Sequence, residues 1–277
     1  MGISRKSLLS MCYMREKGVD FTHTVTIGRQ SCLLNKREID LILAKYDPLY
    51  LDKGVGIIES MFAKSQFSES LFEYFGAKYV DSIDYSDFES ATIIHDMNTP
   101  VEEHLKNKYT LVWDGGCLEH VFNFPVAIKN CMDMVKPHGH LILETPANNF
   151  FGHGFYQFSP ELFFSLLDTH NSFINTKIYM QDNAGNWYEV PSFKEIGKRL
   201  IMPPSSRESL MLVVSEKMSE VPETLSVYQS DYVAEWKLPP PAAANSLKTS
   251  LLLLVCIKRQ GRLFHGEYAN GESVETS

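Results

Sequence analysis

Four short apolar runs between Tyr79 and Glu144 each close on an acid. Residues 79–84 end in Asp84, 91–96 in Asp96, 109–114 in Asp114 with Gly115 and Gly116 behind it, and 140–144 in Glu144. The stretches between them read as helical. Residues 125–135 place Ile128, Met132 and Val135 on one face, and Thr99-Pro100-Val101-Glu102 has the form of a capping box with proline at the first helical position. Strands that alternate with helices pair in parallel. The pattern predicts an α/β fold with a doubly wound, mostly parallel Rossmann-like sheet and helices on both faces.

Composition narrows the function classes. In 277 residues, 44% are hydrophobic and 22% charged, which suits a globular core. Lys and Arg number 26 against 34 Asp and Glu, a formal charge of −8. That balance argues against a dedicated nucleic-acid binder, which needs a basic surface to displace counterions. The cysteines Cys12, Cys32, Cys117, Cys131 and Cys256 are odd in number and form no C-x-x-C pair, the pattern of free thiols in a reducing compartment. No apolar run reaches the roughly 20 residues of a membrane helix. The N-terminus lacks a signal-peptide cleavage pattern, and Lys6 stands where a myristoylation signal needs Ser or Thr. The expectation is a cytoplasmic protein without a membrane partner.

Residues 1–50 read as a helical lead-in. Asn35 and Glu38 form a capping pair ahead of Ile39, Ile42, Leu43 and Tyr46, and Asp47-Pro48 stops that helix. Residues 22–27 are β-rich, either a strand or an extended arm. A domain is expected over 51–216, its first strand at 56–63. A helix over 68–75 follows, ended by Gly76. Further on come a helix from Ser159-Pro160-Glu161 and two late strands at 173–180 and 210–215. Residues 217–277 form a C-terminal extension with a Pro239-Pro240-Pro241 linker, a possible last strand at 251–257, and an end from about Gly266 expected to be disordered.

Ligands bind beyond the carboxyl ends of the strands in such a sheet, where this chain collects acids. An acid there is often only a cap or turn former, but four in succession point to a common rim. The best segments are Val80-Asp81-Ser82-Ile83-Asp84, Ile94-His95-Asp96-Met97-Asn98 and Trp113-Asp114-Gly115-Gly116-Cys117-Leu118-Glu119-His120-Val121, with the turn Lys136-Pro137-His138-Gly139. Over roughly residues 56–168 the chain resembles class I S-adenosylmethionine-dependent methyltransferases. The resemblance implies S-adenosylmethionine as cofactor. By it, Asp84, with Tyr85 beside it, meets the ribose, Asp96 and Met97 meet the adenine, and Asp114 and Gly115 flank the methionine portion. The family's Gly-rich turn after the first strand is matched to Lys64-Ser65-Gln66-Phe67-Ser68-Glu69, which has no glycine; Ser65 is taken there as a cofactor ligand.

His153, between Gly152 and Gly154 in an aromatic loop, and His120 are the candidate catalytic residues, because an acceptor that loses a proton benefits from a base with a pKa near neutral. Each histidine also has a plain structural use, as a bond to a nearby carbonyl. His138-Gly139-His140 falls at a tight turn with no third ligand evident, so no metal is expected. The expected activity is methyl transfer to a small molecule or sugar. The alternatives are a non-catalytic scaffold that kept the fold and, last, a nicotinamide-dependent oxidoreductase, whose G-x-G-x-x-G is missing.

Overall fold

The computed structural model describes residues 2–50, 66–181, 187–201 and 207–236. Its main sheet is built from β1 (His23–Ile27), β2 (Tyr79–Asp84), β3 (Ile93–Ile94), β4 (Tyr109–Gly115) and β5 (Val135–Asn148), followed by β6 (Phe173–Gln181), β7 (Trp187–Glu189) and β8 (Ser209–Lys217). The spatial order is β3-β2-β1-β4-β5-β8-β6-β7. The first five strands in that order are parallel; β8 is antiparallel to both β5 and β6, and β7 to β6. This is the expected α/β doubly wound sheet, with an antiparallel end added.

Side-chain alternation along the central strands divides the core in two. Leu111, Trp113, Ile142 and Leu212 pack on one face under α1 (Arg5–Glu16), α2 (Lys36–Tyr46) and α3 (Glu69–Phe75). Val112, Leu141, Leu143 and Val213 face α4 (Phe124–Met134) and α5 (Pro160–Leu166). All eight side chains are buried, because strands covered by helices on both faces expose neither face. Each such burial contributes about 1.5–3 kcal/mol. Among the described residues no helix is long and apolar enough to cross a membrane.

The expected capping boxes are partly realised. Asn35 Oδ1 accepts from the Glu38 amide at 3.0 Å and Glu38 Oε2 accepts from the Asn35 amide at 3.0 Å, so α2 starts as read. Thr99-Pro100-Val101-Glu102 starts no α-helix. The Val101 amide donates instead to Asn130 Oδ1 of α4 at 2.9 Å, and Asn130 Nδ2 donates to the Thr99 carbonyl at 2.7 Å. Tertiary bonds take the groups a helix start would use, and only one 3-10 turn, Glu103–Leu105, follows.

The most consequential difference lies at the first strand. The expected strand at 56–63 lies outside the described residues, and the place between β2 and β4 is filled by His23–Ile27. Its two threonines, Thr24 and Thr26, are both buried, and Thr24 Oγ1 donates to the Phe21 carbonyl at 2.8 Å. The segment expected as a lead-in therefore supplies a central strand. At the far edge, β3 is two residues long and, with no strand beyond it among the described residues, leaves Ile94 53% exposed. β5 runs past Glu144 to Asn148. Glu144 accordingly points to α1, accepting from Ser7 Oγ and Ser10 Oγ at 2.6 Å each, and is not a rim acid. The linker at 239–241 and the strand expected at 251–257 lie outside the described residues.

Candidate functional site

The turn after β1 is Gly28-Arg29-Gln30. Gly28 has φ +71°, a left-handed conformation that glycine adopts without a Cβ penalty, and its amide donates to the Ile83 carbonyl at 2.8 Å. This brings the turn onto the end of β2. The Arg29 amide donates to Asp84 Oδ2 at 3.3 Å and the Tyr85 amide to Asp84 Oδ1 at 2.7 Å.

Arg29 and Gln30 pack into the same turn. The Arg29 guanidinium lies 4.0 Å from the Phe67 ring centre, pairs with Glu69 at 2.7 Å, and donates to the Glu89 carbonyl at 2.6 Å. Gln30 is buried, with Nε2 donating to the Ile27 carbonyl at 2.8 Å. A Cβ on Gly115 would stand 2.7 Å from Gln30 Oε1, so the end of β4 and the β1 turn are in close contact.

Asp114 at the end of β4 is fully buried. Its Oδ1 accepts from the Cys117 amide at 2.9 Å, and its Oδ2 has no partner. Burial first, and the nearby Glu119 carboxyl second, hold its pKa well above the usual carboxylate range. Gln30 Oε1, Trp113 Nε1 and Thr145 Oγ1 are also buried without a partner along these central strands. Orphaned buried polar atoms are uncommon, and each is a place where a ligand or water can complete the bonding.

On the neighbouring strands, Asp96 Oδ1 accepts from the Asn98 amide at 2.9 Å and from Asn98 Nδ2 at 2.8 Å, and these bonds lower its pKa. Met97 beside it is buried and Tyr85 is 74% exposed. Asp84, Asp96 and Asp114 thus stand at the carboxyl ends of β2, β3 and β4. The expected ligand Ser65 lies outside the described residues, and its intended place, directly after the first strand, is held by Gly28-Arg29-Gln30.

The two candidate histidines come together. Cys117 leads into a 3-10 turn, Leu118–His120, which exposes His120 and buries Glu119. The loop after β5 folds onto this turn: the amides of Phe155 and Tyr156 donate to the Glu119 carbonyl at 2.7 and 3.3 Å. Gly154 makes the approach possible, since a Cβ there would sit 2.8 Å from that carbonyl oxygen. His153 is thereby held with Nε2 3.7 Å from Glu119 Oε1 and its ring 4.9 Å from that of His120. Glu119 Oε2 has no partner, and burial raises the Glu119 pKa. Burial also lowers the pKa of His120. Tyr156 Oη anchors the loop on the Phe122 carbonyl at 2.6 Å, and Phe122 and Phe155 stand exposed at the mouth.

Two groups at this site escape the reading from sequence. Gly28 is a lone glycine in a segment without the expected Gly-rich pattern. Glu119 appears there only as part of a signature, and no local pattern reports that its side chain is buried.

No family model and no curated protein sequence matches the chain. Solved structures similar to it include a SAM-dependent methyltransferase from Archaeoglobus fulgidus, with TM-score 0.41 and 10% identity over 77% of this chain and 95% of that chain. Another is 1,6-didemethyltoxoflavin-N1-methyltransferase from Burkholderia thailandensis, with TM-score 0.39 and 9% identity over 76% and 78%. A third is the N-methyltransferase NodS from Bradyrhizobium japonicum, with TM-score 0.38 and 12% identity over 77% and 86%. At these scores the likenesses carry no weight for function, and the fold assignment rests on the strand order and pairing of this chain.

Proposed function

We propose that the chain binds S-adenosylmethionine across the ends of β2, β3, β1 and β4 and transfers its methyl group to a small-molecule or sugar acceptor. The observation that carries this reading is Asp114, a fully buried carboxyl with one oxygen unpartnered, at the strand end where the sheet's winding reverses. A cationic ammonium, such as the one on the cofactor's methionine portion, satisfies such an oxygen and offsets the cost of burying its charge. Asp84 accepts the ribose hydroxyls, with Tyr85 at its side. Asp96 and Met97 receive the adenine, and Gly115 lies next to the methionine portion.

The cofactor supplies an activated methyl group on a sulfonium, so the protein's task is to position the acceptor in line with it. His153 and His120 stand at the rim beyond β4 and β5, half open to solvent. In this reading His153 accepts the acceptor's proton or orients it, and His120 supports it. A positioned base contributes typically about 10²–10⁴-fold, so His153→Ala lowers turnover by about that factor and leaves cofactor affinity unchanged. The cofactor role is tested with S-adenosylhomocysteine. Losing charge-assisted ribose bonds of about 1.5–3 kcal/mol each makes Asp84→Ala bind at least about tenfold more weakly while circular dichroism shows that the variant still folds. Equal affinity in the variant removes Asp84 from the site.

One observation favours a second reading, a non-catalytic scaffold. Gln30 fills the gap between the β1 turn and Gly115, and Arg29 is tied across the same turn by Glu69 and Phe67. Close backbone approach of a cofactor requires these two side chains to leave room. A protein that stays silent to S-adenosylhomocysteine at millimolar concentration belongs to that reading.

A further inference from the structure

We infer that Glu119, His120 and His153 form a binding site for one divalent transition-metal ion of the zinc, cobalt or nickel type. One ligand atom from each lies within 4.8 Å of the others. Glu119 Oε1 and His153 Nε2 are 3.7 Å apart, close to the about 3.3 Å edge of a tetrahedral site with bonds near 2.0 Å. The His120 and His153 ring centres, 4.9 Å apart at 66°, are spaced as two imidazoles converging on a common point. Both histidines are exposed enough to turn the remaining fraction, whereas the carboxylate is fixed.

The second, independent observation is Glu119 itself. It is 2% exposed, and Oε2 has no partner. An isolated buried carboxylate is costly unless a cation or a donor completes it. The surrounding backbone is built to hold it: two amides clamp its carbonyl, and Gly154 admits the close contact between the loops. Two imidazoles and one carboxylate suit a borderline transition metal rather than calcium or magnesium, which prefer all-oxygen shells. Three protein ligands leave positions open toward solvent at the exposed histidine side, the arrangement of a metal that takes a substrate oxygen. That last role rests on the methyl-transfer reading, where it replaces the base role of His153, whose Nε2 the ion occupies; the site itself does not rest on that reading.

The full, untagged chain, stripped with a chelator, is titrated with Co²⁺ and followed by its visible d–d absorption, with Zn²⁺ added afterwards as competitor. One equivalent of Co²⁺ binds, and Zn²⁺ displaces it. His120→Gln and His153→Gln each weaken binding by at least about tenfold, the loss expected even for a partner of a ligand, and the double variant does not bind. Both single variants alter exposed side chains, and circular dichroism verifies that they fold. No binding by the wild type at 1 mM Co²⁺, about the weakest affinity of a useful site, overturns the proposal, as does unchanged affinity in His153→Gln. S-adenosylhomocysteine titrated into the metal-free chain keeps the two readings apart: cofactor binding without metal binding overturns the metal site alone, and metal binding without cofactor binding overturns the methyltransferase alone.

Discussion

Substituting alanine at Gly154 and, separately, at Gly152 isolates the contact that joins the two loops of the site. Both glycines have positive φ, +72° and +84°. An L-residue there costs about 1–2 kcal/mol in either position. At Gly152 nothing lies within 4 Å of the added Cβ, so that cost is the whole effect. At Gly154 the Cβ meets the Glu119 carbonyl oxygen at 2.8 Å, the Glu119 Cγ at 3.1 Å and the carbonyl carbon at 3.2 Å. The loop must withdraw, and the Phe155 and Tyr156 bonds to that carbonyl are lost. A carbonyl left without donors costs about 1–3 kcal/mol more. Gly154→Ala is therefore less stable than Gly152→Ala by about 1–3 kcal/mol in urea unfolding. At roughly 2–4 °C per kcal/mol, that is a further fall of about 2–12 °C in melting temperature. Equal stabilities for the two variants refute the close approach that sets His153 against Glu119.

Lys217 is 1% exposed and caps the end of α4, its Nζ donating to the carbonyls of Met132 at 3.0 Å and Val135 at 2.6 Å and to Asn107 Oδ1 at 2.7 Å. Lys217→Met strands these acceptors, and urea unfolding should show a loss of about 3 kcal/mol. Burial pushes the Lys217 pKa down to about 8, against about 10.4 in an unfolded chain. Between those values the unfolded state holds the extra proton, so this lysine makes stability rise with pH; the rise between pH 8 and 10 is smaller in Lys217→Met. Ser10→Ala removes one of two hydroxyl donors to the Glu144 carboxylate and costs about 1.5–3 kcal/mol in the same assay, with no effect on S-adenosylhomocysteine affinity.

The strands that carry most of the rim were legible because burial on both faces writes them as unbroken apolar runs: Leu111 to Trp113 and Leu141 to Leu143 allow no other placement. β1 was obscured because Thr24 and Thr26 are polar residues that lie in the core, the Thr24 hydroxyl satisfied locally by the Phe21 carbonyl. That shifted the expected turn after the first strand by some forty residues in the chain, from Gly28-Arg29-Gln30 to the segment holding Ser65. The capping box at Thr99 has the right residues for a helix start, but Asn130, thirty-one residues away, takes the Thr99 carbonyl; no local pattern reports that bond. The places of Asp84, Asp96 and Asp114 at the strand ends were legible from position alone. The pairing of His120 with His153 was not, since it depends on a loop-to-loop contact fixed by Gly154 and the Glu119 carbonyl.

The most direct test of the cofactor reading is calorimetric titration of the wild-type chain near pH 7 with S-adenosylhomocysteine and, in parallel, with methylthioadenosine, which keeps the nucleoside but lacks the amino-acid portion. The buried Asp114 carboxyl predicts 1:1 binding of the first and at least about tenfold weaker binding of the second, the loss of one charge-assisted bond. No heat from either ligand at millimolar concentration, or equal affinity for both, contradicts the role given to Asp114.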